Sequence, residues 1–423
     1  EGDRQYTQIF EKGSRLLEAA QRSIAQKIQT DGGLLVFNPH SFPYSGPAEC
    51  GGAYYLVDNI PPKGYQVVLI APVESKVSVT ENCMENPFLR VELENGNITR
   101  IFDKRRSREL LKAGQRANIL QACEDIPRDW DAWEICDYYD EKIWELTDTD
   151  QVEILHEGTR AGLRITKTFL SSTIIQRIYL YDCSSRIDFE TTVDWQQQHI
   201  LLKALFPMDI HAEKATYDIQ FGTVERPTHK NTSWDAARFE VCAHKFADIS
   251  EDDYGVSLMN DCKYGYDITD GNMRLTLLKS PTYPNPTADR GRHEFTYSLY
   301  PHEGNYTEGG TFSSAFALNI PPQAMVLPAQ SGPLEDCFSF VSCDKDNIII
   351  ETIKKAEDSD AMILRLYDAY NRRCQVTLTF GFDPRQVFLT DMLEHCVQPL
   401  PVHGRSVTLP VGPFEIITLA VTL

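Results

Sequence analysis

The segment RPTHKNTSWD, from Arg226 to Asp235, places a guanidinium, an imidazole, a carboxamide, an indole and a carboxylate in one short run. Further along, NDCKYGY, from Asn260 to Tyr266, adds a second carboxamide and two phenols. A ligand rich in hydroxyls, such as a sugar, calls for this set: planar bidentate partners for vicinal hydroxyls, and flat aromatic faces for C–H stacking. No H-x-D, H-E-x-x-H or C-x-x-C triplet occurs in the chain, so no local metal or nucleophile signature completes a reaction centre beside them. The chemistry these residues offer is ligand contact, with catalysis expected elsewhere.

Both blocks lie where apolar and polar residues alternate as in strands, and the rest of the chain reads the same way. A 423-residue chain that is 42% hydrophobic and 24% charged buries a sizeable core and is expected to divide into two to four domains. No apolar run approaches the roughly 18 residues that cross a bilayer, and no charged-then-apolar leader opens the sequence, so the expectation is a soluble, cytoplasmic protein with no membrane association. A net charge of −20, from 41 basic against 61 acidic residues, argues against nucleic acid as a partner, because phosphate contacts dominate that affinity. The eleven cysteines are odd in number and scattered, which fits free thiols in a reducing compartment. Asn97, Asn231 and Asn305 begin N-x-[ST] triplets that carry no glycan in such a compartment.

At the N-terminus, Ile9, Phe10, Leu16, Leu17, Ala20, Ile24 and Ile28 form one stripe at helical spacing, stopped by Asp31-Gly32-Gly33. Such a helix is marginal alone and is expected to be the end of a helical bundle. After Gly33 the pattern is β throughout. Short runs at 34–37, 53–57 and 65–70 form a small unit between proline-rich turns. Leu89, Val91 and Leu93 enter Asn95-Gly96 and Ile98 leads out, the signature of a primed-turn hairpin. Alternating segments continue to about Leu318, and the proline-rich stretch 321–333 reads as a linker. Runs at 347–353, 362–367, 376–380, 407–409 and 417–423 then make one small β-sandwich. The expected divisions are 1–30, 31–80, 81–330 and 334–423.

Several blocks carry a family resemblance. Phe37-Asn38-Pro39 followed by Ser41-Phe42-Pro43, the segment WDAWE from Trp130 to Glu134, the two blocks above, and ADRGRHEFTYSLYPH from Ala288 to His302 are similar to the C-terminal half of glycoside hydrolase family 38 α-mannosidases, nearest to the cytosolic and vacuolar branch. The resemblance covers essentially the whole chain. It implies a mainly β fold built on a large antiparallel supersandwich of the galactose-mutarotase-like kind, flanked by small β-sandwich domains, with the short N-terminal helix left from a bundle. It also implies a retaining hydrolase of terminal α-mannosyl linkages with an aspartate nucleophile, a carboxylic acid/base, and a zinc ion held by two histidines and two aspartates. None of those positions is recognised here, so the resemblance places zinc and catalysis outside this chain, just upstream of residue 1. The partners it implies are a mannose-containing oligosaccharide and the chain's own N-terminal catalytic domain; a homo-oligomer is left open.

Within that frame the candidate substrate contacts are Arg226, His229, Asn231, Trp234, Asp235, Asp131, Trp133 and Tyr264, with no catalytic or metal-binding residue assigned in the chain. Each has a purely structural alternative. Asn231 and Asp235 suit the caps of a turn, Trp234 a core position, and the two indoles of the 130–134 segment a loop anchor. The spacing of Tyr264 and Tyr266 puts both phenols on one face of a strand, as in cross-sheet aromatic pairing. His293 and His302 lack further ligands of metal-binding geometry, the Asp344–Asn347 run lacks the later oxygens of a calcium loop, and Glu251 to Asp253 read as a solvated turn. Two other functional classes remain. A non-catalytic carbohydrate-binding module predicts mannose affinity in the isolated chain; a structural scaffold predicts none, together with a large exposed apolar patch.

Overall fold

The computed structural model describes residues 2–70 and 75–423. The helix Gly2–Ala25 leads into a four-stranded antiparallel sheet ordered Gln323–Leu327, Gly33–Asn38, Gly64–Val68, Cys337–Ser339. The stretch 321–333 is therefore not only a linker. Ala324, Val326 and their neighbours pair with Gly33–Asn38 across almost 300 residues of sequence, an edge pairing that local periodicity cannot reveal.

The centre of the molecule is a sandwich of two large antiparallel sheets. The nine-stranded sheet runs Gln151–Glu157, Arg160–Phe169, Ser172–Tyr181, Ser184–Trp195, Gly291–Glu303, Tyr254–Asn260, Phe246–Ser250, Lys214–Ile219, Gly222–Pro227; the six-stranded sheet runs Ile143–Glu145, Ile119–Glu124, Ile200–Pro207, Asn272–Leu278, Gly265–Thr269, Val241–Cys242. Alternation along Ser184–Trp195 sends Ile187, Phe189, Val193 and Trp195 into the core. The central strand Gly291–Glu303 carries most of the ADRGRHEFTYSLYPH block and buries Phe295, Tyr297 and Leu299. Leu89–Glu94 and Asn97–Asp103 form the expected hairpin, with Asn95 and Gly96 both at positive φ (48° and 70°), and their sheet shares the same core.

The C-terminal sandwich packs a three-stranded sheet (Val341–Cys343, Cys374–Phe380, Ser406–Val411) on a five-stranded one (Ile348–Lys355, Met362–Asp368, Ile416–Thr422, Gln386–Thr390, Cys396–Leu400). Three of these strands, Val341–Cys343, Gln386–Thr390 and Cys396–Leu400, have no counterpart in the sequence reading; the first is only three residues long and the exposed residues of the other two blur the alternation. The helix Thr311–Asn319 seals the junction, with Phe312 and Phe316 packed among Phe246, Met259, Ile349 and Tyr367. The end of the helix Gly2–Ala25 packs on the small sheet, where Ala25 and the following Ile28 join its core, while Tyr6, Ile9, Phe10, Leu16 and Leu17 are exposed. Among the described residues no helix is long and apolar enough to cross a membrane.

Candidate functional site

The RPTHKNTSWD block begins on a strand and leaves it. Arg226 and Pro227 end the edge strand Gly222–Pro227 of the nine-stranded sheet, where a proline without an N–H costs no ladder bond. The chain then loops to a one-turn helix, Ser233–Ala236, whose N-cap is Thr232: its Oγ1 accepts the Asp235 amide at 3.1 Å and donates to Asp235 Oδ2 at 2.7 Å. His229 Nδ1 stands 3.8 Å from Asp235 Oδ2 and accepts the Asn231 amide at 3.4 Å, and Arg238 reaches Asp235 at 3.9 Å. The Thr232 hydrogen bonds, with His229 and Arg238 nearby, hold the Asp235 carboxyl below its ordinary range. His229, Asn231 and Asp235 are thus one local cluster. Trp234 is not a core residue: 77% of it is exposed.

Arg226 is set apart from that cluster, its guanidinium lying over the Tyr217 ring at 4.6 Å. Burial presses it below the ordinary arginine range, and its Nη1 is a buried donor without a hydrogen-bond partner among the described residues.

Tyr264 and Tyr266 do not share a face. The strand starts at Gly265, so Tyr264 belongs to the preceding bend and is 57% exposed, edge-on to His244 at 5.6 Å. Tyr266 is buried and its hydroxyl accepts from Asn260 Nδ2 at 2.6 Å. The spacing of two fails because strand alternation applies only inside the strand. Tyr264 instead lines a cleft of about 220 Å³ with His244, Lys245, Asn260 and Asp261.

The WDAWE segment is a turn in the long loop between Ile119–Glu124 and Ile143–Glu145, and Trp130 and Trp133 meet edge-to-face at 6.1 Å. Trp133 is 67% exposed, whereas Asp131 points inward and works as an anchor. Its Oδ2 accepts the Thr282 amide at 2.5 Å, the Thr282 hydroxyl at 3.1 Å and the Tyr283 amide at 3.2 Å. Burial pushes this carboxyl up, but the Thr282 amide and hydroxyl, His199 and the Tyr283 amide together outweigh it and hold it below the usual carboxylate range. Asp131 is therefore already occupied by the protein, unlike the neighbouring indoles.

The two loops meet on the outer face of the six-stranded sheet, where Tyr139 of the first packs on Phe239 of the second at 6.2 Å. Beneath them Lys203, a lone charge in the apolar strand ILLKALFP and wholly buried, pairs with Glu240, which also accepts from Thr276 Oγ1. Sequence inspection passed over Lys203, Glu240, His199 and Thr282. An isolated lysine inside an apolar strand is itself a signal that a counter-charge is buried nearby; nothing local marks His199 or Thr282. Among the described residues no three His, Cys, Asp or Glu side chains converge as a metal-binding set, so no chemical step is routed through a metal here. All eleven cysteines are unpaired.

The outer face of this broad antiparallel sandwich carries two loops rich in aromatic and polar side chains. Similarity to known proteins identifies the family. The family description "Glycosyl hydrolases family 38 C-terminal domain" matches residues 84–287, and "Glycosyl hydrolases family 38 C-terminal beta sandwich domain" matches residues 347–419. Alpha-mannosidase 2C1 of Homo sapiens is 33% identical over an alignment that takes in 99% of this chain and 42% of that protein. Alpha-mannosidase G of Dictyostelium discoideum is 35% identical, over 79% of this chain and 32% of that protein. The solved structure of an alpha-mannosidase from Enterococcus faecalis V583 superposes with a TM-score of 0.80 at 16% identity, over 96% of this chain and 58% of that one, which establishes the shared fold. The chain belongs to glycoside hydrolase family 38 and corresponds to the C-terminal region of its α-mannosidases. It spans well under half the length of the curated relatives it matches.

Proposed function

We propose that this chain is the β portion of a cytosolic, zinc-dependent, retaining α-mannosidase that removes terminal α-mannosyl residues from mannose-containing oligosaccharides. The nucleophile, the acid/base and the zinc ligands belong to a catalytic domain outside the chain, and the chain forms one wall of the substrate cleft and supports that domain. The observation that carries the cleft-wall role is the pairing of exposed aromatics with buried anchors. Trp234 and Trp133 face outward on loops pinned by Glu240–Lys203 and by Asp131–Thr282, the rigid stacking surface a sugar ring requires. Arg226, His229, Asn231, Asp235 and Tyr264 supply hydroxyl partners around it, while Asp131 orients its loop. The exposed stripe of Tyr6, Ile9, Phe10, Leu16 and Leu17 supports a docking role toward the catalytic domain.

The test compares the chain alone with the whole protein on a nitrophenyl α-mannoside, with and without added zinc. Turnover is expected from the whole protein and none from the chain, because a cleft wall has no nucleophile. Zinc-stimulated turnover by the chain alone refutes the division of labour.

A further inference from the structure

The two loops that carry Trp133 and Trp234 share one small hydrophobic cluster. The first loop, between the strands Ile119–Glu124 and Ile143–Glu145, contributes Ile135 and the buried Tyr139; the second, between Gly222–Pro227 and Val241–Cys242, contributes Phe239. Cys123 and Leu201 of the six-stranded sheet complete it. Each loop reaches the cluster with an aromatic residue followed by an acid, Tyr139-Asp140 and Phe239-Glu240. The aromatics meet each other at 6.2 Å, with their planes tilted by 42°.

The acids bind two cations on adjacent strands of the sheet. Arg274, on Asn272–Leu278, donates from Nη1 to Asp140 Oδ1 at 2.7 Å and from Nη2 to Asp140 Oδ2 at 3.1 Å, and also pairs with Asp267. The same Nη2 donates to the Tyr139 hydroxyl at 3.1 Å, and the hydroxyl gives its own proton to Asp267 Oδ2 at 2.8 Å. A guanidinium only donates, so these directions are fixed. Lys203, on the neighbouring strand Ile200–Pro207, serves both loops: its ammonium pairs with Glu240 and lies 5.1 Å from the centre of the Tyr139 ring. Gly265 makes the seat for Glu240, since a Cβ there would stand 2.6 Å from Glu240 Oε1. The contact between Tyr139 and Phe239 is thus held on both sides by buried, charge-assisted anchors, and nothing in it is mobile independently of both loops.

We propose that Tyr139 and Phe239 are positioning residues that couple the two loops into one unit, so that Trp133 and Trp234 are presented together on the outer face of the six-stranded sheet. Release of one loop is transmitted to the other through the shared cluster, and the effect is reciprocal because the coupling is a single free energy. The use of Trp133 and Trp234 as sugar contacts rests on the function proposed above. The coupling does not: it is read without turnover, so it stands or falls separately from the mannosidase reading.

The experiment is hydrogen exchange in the whole protein at a single pH, with the strand Gly291–Glu303 as internal reference. Both loops hold hydrogen-bonded amides that report on them: Tyr139 on the Cys136 carbonyl in the first, and Ala236, Ala237 and Arg238 in the one-turn helix of the second. Phe239→Ala lies in the second loop, and its deciding readout is in the first. Protection of residues 135–142 is expected to fall at least about threefold, the scale of one aromatic pair, with the reference unchanged. Asp140→Asn, in the first loop, replaces the bidentate ion pair with a neutral contact and should loosen residues 232–240 by a similar factor. Phe239→Leu keeps an apolar side chain in the cluster and should retain most of the first loop's protection. Loops held separately would each respond only to a substitution of their own; that pattern, or no response in either loop, overturns the proposal. Tyr139→Ala should loosen both loops at once. If it unfolds the reference strand as well, Phe239→Ala and Asp140→Asn still decide it.

Discussion

Glu240→Ala tests whether the loop bearing His229 to Asp235 is held by a single buried ion pair. Lys203 has no exposed side-chain surface and Glu240 only 13%, so removing the carboxylate strands an ammonium beneath the loop. Breaking such a pair from one side costs about 3–5 kcal/mol. The loss is therefore expected between about 3 and 5 kcal/mol, including the bond from Thr276 Oγ1. Urea unfolding at pH 7, followed by far-UV circular dichroism, measures it through a midpoint shift at constant m-value. The double variant Lys203→Met/Glu240→Leu removes both charges and keeps the volume, and should recover to within about 1 kcal/mol of the native protein. A single-variant loss below about 1 kcal/mol, or a double variant as unstable as the single, refutes the anchoring argument.

In the whole protein, Arg226→Ala and Asp235→Ala are expected to lower kcat/KM on a nitrophenyl mannoside while moving Tm by only a few degrees, because Asp235 lies in an exposed loop and Arg226 on a sheet edge; early unfolding with normal turnover would make them structural. Phe10→Glu and Leu16→Glu should change the stability of this chain by less than about 0.5 kcal/mol, since both side chains are largely exposed, but cost several times more in the whole protein, where the proposed domain covers them; equal effects in both contexts count against docking there. His40 is buried against Phe42, and burial, with Lys63 adding, brings its pKa from 6.5 down to about 4. The folded state thus binds fewer protons than the unfolded chain, so this contribution is complete above pH about 6.5 and lost as pH falls toward about 4, a change of about 3 kcal/mol that His40→Gln should flatten in a stability–pH profile.

The sequence determined what depends on local pattern. The period-2 runs that become Leu89–Glu94 and Cys374–Phe380 and the Asn95-Gly96 turn follow from backbone sterics and one-sided burial, which act between near neighbours, whereas the N-terminal helix, expected to run to the glycines at 32–33, ends at Ala25. The concentration of polar and aromatic groups at 226–235 was visible for the same reason. Tertiary structure decided which of them look outward. Asp131 and Trp133 are two residues apart, yet one is consumed by Thr282 and Tyr283 and the other is exposed; Tyr264 and Tyr266 part because a strand begins between them. It also decided that Gln323–Leu327 returns to pair with Gly33–Asn38, and that Lys203 finds Glu240 and His199 finds Asp131. These are contacts between residues far apart in sequence, and a buried charge or an edge strand takes whatever partner the fold delivers rather than one its neighbours encode.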